Sequence, residues 1–244
     1  MKRIKLIVAY DGTNYHGWQV QPYKDTIEGE LNKAILALTG EDIKVIGASR
    51  TDAGVHALGN VAVFDTASKI PAEKFSYALN QRLPKDIVIQ KSEEVPADFH
   101  PRHCACRKTY EYTILNRKFP LPEYRNTAYF YYGRLDIEKM RAAGKAFIGE
   151  HDFKGFCAAG AQVQTTVRTI YSLEVTKEGE FIKIRVNGNG FLYNMVRIIA
   201  GTLIEVGKGR IASDDITSII SSCDRSKAGD TAPAEGLKLI VIEY

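Results

Sequence analysis

Ile43-Lys44-Val45-Ile46-Gly47-Ala48-Ser49-Arg50-Thr51-Asp52-Ala53-Gly54-Val55-His56-Ala57-Leu58-Gly59-Asn60-Val61-Ala62-Val63-Phe64 reads as strand, loop, strand. The outer runs, Ile43 to Gly47 and Leu58 to Phe64, are short and apolar, as buried strands are. Between them, Ser49 to Ala57 carries Arg50, Asp52 and His56. A polar loop held between two buried strands is where a rigid scaffold presents reactive side chains. Thr51-Asp52-Ala53-Gly54 is also ordinary turn chemistry, so by residue type alone Asp52 is a turn former.

Upstream of this segment, Asp25 and Glu28 predict a capping box. The stripe Ile27, Leu31, Ala34, Ile35 and Leu38 predicts a helix that stops near Gly40. Earlier still, Ile4, Leu6, Val8 and Tyr10 alternate with Arg3, Lys5, Ile7 and Ala9, the pattern of a half-buried strand. The loop Asp11 to Gln19 holds aromatics outside any period. It is expected to pack Trp18 back on the core; rings stacking on nucleic-acid bases are the second reading. Downstream, Pro71 predicts a helix to about Arg82, and Ile87 to Gln90 a strand.

The order strand, helix, strand, strand, helix, strand predicts an α+β fold of ferredoxin-like type, an antiparallel sheet with helices on one face. The second half reads similarly. Strands are expected at Lys108–Leu115, Thr127–Tyr132, Thr169–Thr176, Phe181–Val186 and Leu237–Ile242. Helices are expected from Asp136 to about Gly149, Phe191 to Val206 and Ser213 to Ser221. No sequence repeat is visible, only a repeated order of elements. The expectation is two ferredoxin-like halves, 1–100 with the Asp52 loop and 101–244, and a cleft between them.

Composition narrows the classes. The apolar fraction is 45% and the charged fraction 25%, ordinary globular values, and the net charge is +4. Cys104, Cys106, Cys157 and Cys223 are too few and too scattered for a disulfide framework. No run reaches the roughly 20 apolar residues of a membrane span, and the run after Lys2, Arg3 and Lys5 is too short for a signal peptide. The expected address is the cytoplasm.

The positive charge is clustered. From Phe99 to Lys118 lie Arg102, Arg107, Lys108, Arg117 and Lys118 against Glu111 alone, with Phe99, Tyr110 and Tyr112 among them. Cations neutralise phosphates and rings stack on bases, so this is the best nucleic-acid footprint in the chain. A solvated basic strand edge that deters aggregation fits it equally. His100, His103, Cys104 and Cys106 invite a metal reading, but Cys-x-Cys lacks a distant partner pair and the expectation is no metal. If the strand begins there, Cys104 and Cys106 share a face with Tyr110 and Tyr112. Lys108 falls on that face too, so either a bulge intervenes or Lys108 points into a site. Gly201 to Gly209 superficially resembles a phosphate loop, but the spacing is wrong and Gly209 replaces the required Ser or Thr.

Phe191 to Ile204 is apolar almost all round, the signature of a helix buried on most sides. Arg197 lies in its middle. A buried guanidinium does not shed its proton and needs an anion or a route to water. A structural pair with any acidic neighbour satisfies that. A pair with Asp52 satisfies it too, and would keep that carboxylate ionised and able to act as a nucleophile.

Six stretches resemble one family: Tyr10 to Gln19 (YDGTNYHGWQ), Ser49 to Ala57 (SRTDAGVHA), Asp98 to Arg102 (DFHPR), Arg107-Lys108-Thr109-Tyr110, Met195-Val196-Arg197, and Thr231 to Leu237 (TAPAEGL). Together they are similar to the TruA family of tRNA pseudouridine synthases. Eight of nine signature positions match; Ser49 stands where the family has Gly, which reaches positive φ readily.

The resemblance implies an isomerase that converts uridine to pseudouridine at positions 38 to 40 of the tRNA anticodon arm, with no cofactor. Asp52 would be the nucleophile, attacking the base at C6 or the sugar at C1′, and Arg197 its partner. The target base leaves the stack, at a cost of a few kcal/mol. Arg50 would fill the gap, Tyr110 stack on the uracil, and Leu237 line the pocket. Phe99, His100, Pro101, Arg102 and His103 would contact tRNA, with Arg102 and Lys118 on its backbone. Cys157 to Gln164 would complete the RNA surface. The family forms homodimers. The competing class is a non-catalytic RNA-binding module or RNA chaperone, which explains the cations but not Asp52 beside Arg50. A metal hydrolase using His100, His103, Cys104 and Cys106 is the third candidate.

Overall fold

Ile4, Leu6, Val8 and Tyr10 lie on one buried face of β1 (Lys2–Tyr10), as their alternation requires. The computed structural model describes residues 1–160 and 163–244. Ala161 and Gln162, within the expected RNA segment Cys157 to Gln164, lie outside the described residues. The chain divides into two compact units, Met1–Ala105 with Leu239–Tyr244, and Cys106–Lys238. Arg102, His103 and the end of the last strand thus belong to the first unit.

In the first unit, α1 (Ile27–Thr39) buries Ile27, Leu31, Ala34 and Ile35 and ends on left-handed Gly40. Its cap is Thr26, whose hydroxyl accepts from Gly29 N–H at 3.3 Å, so the predicted Asp25–Glu28 capping box does not form. Chain outside the helix takes over the first helical donors. Ile27 N–H reaches Gly17 O, Glu28 N–H reaches Trp18 O, and the Glu28 carboxylate accepts from Val20 N–H.

The strand expected at Ile43–Gly47 shrinks to β2 (Ile46–Gly47), because Val45 N–H is taken by Asn32 Oδ1 of α1. β3 (His56–Thr66) begins inside the signature. The helix expected from Pro71 is a 3-10 turn followed by the short α2 (Phe75–Asn80). β4 (Ile87–Val95) closes the set. β1 pairs antiparallel with β3 and β4, and β2 antiparallel with β3. The order β4-β1-β3-β2 is the split βαβ arrangement read from the sequence.

The second unit holds β5 (Arg107–Asn116), β6 (Tyr129–Tyr131), α3 (Ile137–Lys145), β7 (Gly149–Asp152), β8 (Val167–Glu178), β9 (Phe181–Gly188), α4 (Met195–Gly207) and α5 (Ile216–Ser222). Last comes β10 (Leu237–Glu243), which carries the chain back to the first unit at Leu239. β9 lies between β5 and β8, antiparallel to both, as β3 lies between β1 and β2. α3 lies on β8 and against α4. The helix expected to reach Gly149 stops at Lys145, and the sequence reading missed β7. β5 and β9 pair from Lys108 to Leu115 with no register shift, so no bulge intervenes there and Lys108 shares the face of Tyr110.

α4 starts at Met195, four residues later than expected, because Asn194 is left-handed (φ 59°) and Met195 N–H closes a turn on Leu192 O. Asn is among the few residues that adopt that conformation readily. Within α4, Gly201 is demanded by contact: a Cβ there would stand 1.8 Å from Asp230 O. Beside it, Thr202 Oγ1 accepts from Gly229 N–H at 2.9 Å. Together they dock residues 229–232 on the helix.

Gly201→Ala is therefore expected to destabilise the fold by about 1–3 kcal/mol, the usual range for overpacking, measured as a lowered denaturant midpoint. Helix propensity alone would make the change stabilising by about 1 kcal/mol. A variant as stable as the wild type would remove the contact argument.

Candidate active site

The signature loop is braced from both sides within the first unit. Thr51 O accepts from Trp18 N–H at 3.0 Å, and Gly54 N–H donates to Tyr15 O. Gly17 (φ +89°) lets the two loops meet: a Cβ would lie 2.5 Å from Thr51 O. Trp18 is 1% exposed, packed on the core beside Tyr10 as expected. Beneath the loop, the hydroxyls of Tyr10 and Thr51 are hydrogen bonded at 2.8 Å, and Asn60 Nδ2 donates to Tyr10 Oη and Ser49 O. Val55 N–H closes a turn on Asp52 O, with Gly54 left-handed (φ +78°). The turn reading of Asp52 thus holds at its backbone, while its side chain stays half-exposed. Ser49 is not left-handed, so the backbone there does not require Gly. Its buried hydroxyl has no hydrogen-bond partner among the described residues.

His56, third of the polar loop residues, is buried under the loop. Its Nδ1 stands 3.1 Å from both Gly12 N–H and Asp11 Oδ1, and it can accept from the first or donate to the second. Burial pushes the Asp11 carboxyl up, but hydrogen bonds from Thr13 and the His56 ring outweigh it and hold the group below the usual range. This pair anchors the start of the aromatic loop rather than presenting chemistry.

Arg50 is exposed at the loop tip, and Arg102 comes close enough for their charges to act on each other. Arg102 Nε donates to Gly47 O at 2.7 Å, tying the Phe99–His103 segment to the strand that precedes the signature. The same segment is held by Arg3 Nη1 on Phe99 O, Tyr244 Oη on Pro101 O, and a Phe99–Tyr244 edge contact at 4.9 Å. The His100 and His103 rings lie 4.1 Å apart. Burial, and then the charge of His103, lower the His100 pKa. Among the described residues no three His, Cys, Asp or Glu side chains gather where they could hold a metal ion. Nor is any helix among them long and apolar enough to cross a membrane.

In the second unit, Arg197 Nε donates to Ala232 O at 2.8 Å and Nη1 to Asn194 Oδ1 at 2.9 Å. Ala232 N–H in turn donates to Arg197 O. The motif Thr231 to Leu237 and the Arg197 turn therefore hold each other, aided by Tyr112 Oη on Pro233 O. Tyr112 is raised well above the ordinary tyrosine pKa by burial and then by Glu235, so its hydroxyl stays protonated as a donor. Tyr110 is buried on β5, edge-on to Phe191 with centroids 5.1 Å apart. Leu237 is buried at the start of β10.

The sequence reading missed Asn194, Ala232, Tyr10 and Asn60. Tyr10 and Ala232 lie inside two of the resembling stretches, which name no role for them, and Asn194 stands before an apolar helix; Asn60 carries no local signal. The basic stretch also divides. Arg102 lies in the first unit; in the second, Arg107 stacks on Tyr171, Arg117 pairs with Glu180 at 3.1 Å, and Lys118 lies over Phe119. Lys118 stands past the far end of β5, which at the usual rise per residue lies about 20 Å along the strand from Tyr110.

An α+β fold that braces an Asp beside an Arg, and elsewhere fixes a guanidinium through the Ala232 carbonyl and the Asn194 side chain, has the parts of an RNA-modifying enzyme. The family model described as tRNA pseudouridine synthase matches residues 6–103 and 143–244. The chain belongs to the tRNA pseudouridine synthase family. It is 52% identical to tRNA pseudouridine synthase A of Acetivibrio thermocellus over 244 residues, covering 100% of both chains. It is 54% identical to that of Ruminiclostridium cellulolyticum over 245 residues, again covering 100% of both. Among solved structures, a chain in "Crystal Structure of a Cbf5-Nop10-Gar1 Complex" aligns at a TM-score of 0.32 and 14% identity, over 97% of this chain and 56% of that one. A likeness that distant fixes nothing about the site.

Proposed function

We propose that this chain isomerises uridine to pseudouridine in tRNA, at positions 38 to 40 of the anticodon arm, with Asp52 as nucleophile. The N1–C1′ bond breaks, the uracil turns, a C5–C1′ bond forms, and the proton lost from C5 is replaced by one on N1. No oxidant or reductant enters the balance. Arg197 keeps Asp52 ionised, since a nearby guanidinium favours the carboxylate. Arg50 replaces the flipped base, Tyr110 stacks on the uracil and Leu237 lines its pocket. Phe99, His100, Pro101, Arg102, His103 and Lys118 bind the RNA. The enzyme acts in the cytoplasm, the address expected from its apolar runs, and as a homodimer, a reading that rests on family resemblance.

One observation carries the proposal: Asp52 sits half-exposed on a loop whose backbone is fixed by Trp18, Tyr15 and the Tyr10–Thr51–Asn60 network. A nucleophile needs such prepositioning, and a mere turn residue does not. The test is release of tritium from tRNA labelled at uridine C5. Release in step with pseudouridine formation is expected; tight tRNA binding without release would favour the non-catalytic RNA-binding module.

The RNA contacts have their own test. Arg102→Gln and Lys118→Gln are expected to weaken binding alike across tRNAs and to lower the salt slope by about one phosphate contact each. Arg102→Gln should lose more, because it also releases Gly47 O. An unchanged slope would take the residue out of the interface.

A further inference from the structure

Arg168, near the start of β8, has no role in the reading above. It is half-buried, and alternation puts it on the face of fully buried Ile170. Its Nη1 donates to Thr165 O at 2.9 Å and Val167 O at 2.6 Å, which fixes the plane of the guanidinium. Those two bonds use one nitrogen, leaving the donors on Nε and Nη2. No carboxylate among the described residues pairs with it. Burial works against its charge, and only the Cys157 thiol acts the other way. A guanidinium cannot neutralise itself by losing a proton, so a fixed, partly desolvated one is built for an anion.

Its neighbours say which anion. Arg168 Nε lies 3.6 Å from where a Cβ on Gly190 would stand, an ordinary contact distance, so the guanidinium stem packs beside the Gly190 backbone. Gly190 precedes Phe191, the ring set edge-on to Tyr110. Cys157, near enough for its thiol to act on Arg168, precedes Ala158, whose N–H donates to Tyr193 O, next to the Asn194 that holds Arg197. Arg168 thus stands at the root of the residue 189–194 turn that supports both Tyr110 and Arg197.

We propose that Arg168 grips a phosphodiester of the RNA strand close to the target uridine, a positioning contact that sets where the base enters. The ligand class follows from the proposed function: the fork of donors matches two non-bridging phosphate oxygens. The contrary view is that Arg168 only staples its own strand through Thr165 and Val167.

The experiment compares wild type, Arg168→Gln and Arg168→Lys on an anticodon stem-loop RNA. Affinity is measured against salt, and KM and kcat for pseudouridine formation are measured separately. Arg168→Gln is expected to weaken binding about ten-fold, one bidentate phosphate contact, and to lower the salt slope by about one, mainly in KM. Arg168→Lys should restore the slope but only part of the affinity. Replacing single phosphates by neutral methylphosphonates should find one linkage that costs wild type affinity and costs Arg168→Gln nothing more. Unchanged affinity and slope, or a lowered Tm with the slope intact, would overturn the assignment. Absence of pseudouridine from the wild-type reaction would sink the proposed function, while the binding measurements still decide on Arg168.

Discussion

Asp52→Asn is expected to lower pseudouridine formation by at least about a thousand-fold, as loss of a nucleophile does, with tRNA affinity within a few-fold of wild type. Asn keeps the size and turn propensity of Asp. The loop should survive the change, because its bracing runs through the Thr51 carbonyl and hydroxyl, Gly54 N–H and the Asp52 backbone. What disappears is the negative charge that makes the carboxylate oxygen a nucleophile; the amide oxygen of Asn is a far weaker one. Single-turnover assays with excess enzyme separate this from a binding defect. Turnover within ten-fold of wild type would mean that Asp52 is not the nucleophile.

Arg197→Met is expected to cost at least about a hundred-fold in activity, typical of removing one electrostatic partner from a reaction centre. The fold should lose only about 1–3 kcal/mol. That is the range for leaving one buried acceptor unsatisfied, here Ala232 O; the Asn194 amide is only half-buried and can turn to water. Met keeps the bulk and suits a helix that is buried nearly all round. Arg197→Lys preserves charge without the two-sided grip and should fall between the two. Activity measured per folded molecule decides the matter. A loss that merely tracks the unfolded fraction would make Arg197 a structural tie between α4 and residues 231–233.

Some signals were local and could be read without the structure. Period-two alternation placed β1 to within two residues at either end, because side chains on a strand alternate faces whatever packs on them, and the strands expected at Lys108–Leu115 and Phe181–Val186 match β5 and β9 as closely. The apolar stripe placed α1, and the nonapeptide placed Asp52 and Arg50 on a loop. Other readings failed where a distant group decided. Gly17 O and Trp18 O claimed the first donors of α1, so Thr26 and not Asp25 became its cap. Asn32 took Val45 N–H and shortened β2 to two residues.

The α+β class, the order of elements in the first half, the order in the second half apart from β7, and the residues on which the chemistry is expected to rest are all legible in the sequence. Those follow from side-chain periodicity and from a motif contiguous in the chain. Which groups hold those residues still emerges only from the folded chain. Ala232 and Asn194 fix Arg197, Tyr10 and Asn60 lie under the signature loop, and Gly201 admits Asp230 against α4. The physical reason is that a carbonyl is the same on every residue. Which one a guanidinium, a backbone N–H or a hydroxyl meets depends on where the chain returns, and no local pattern encodes that.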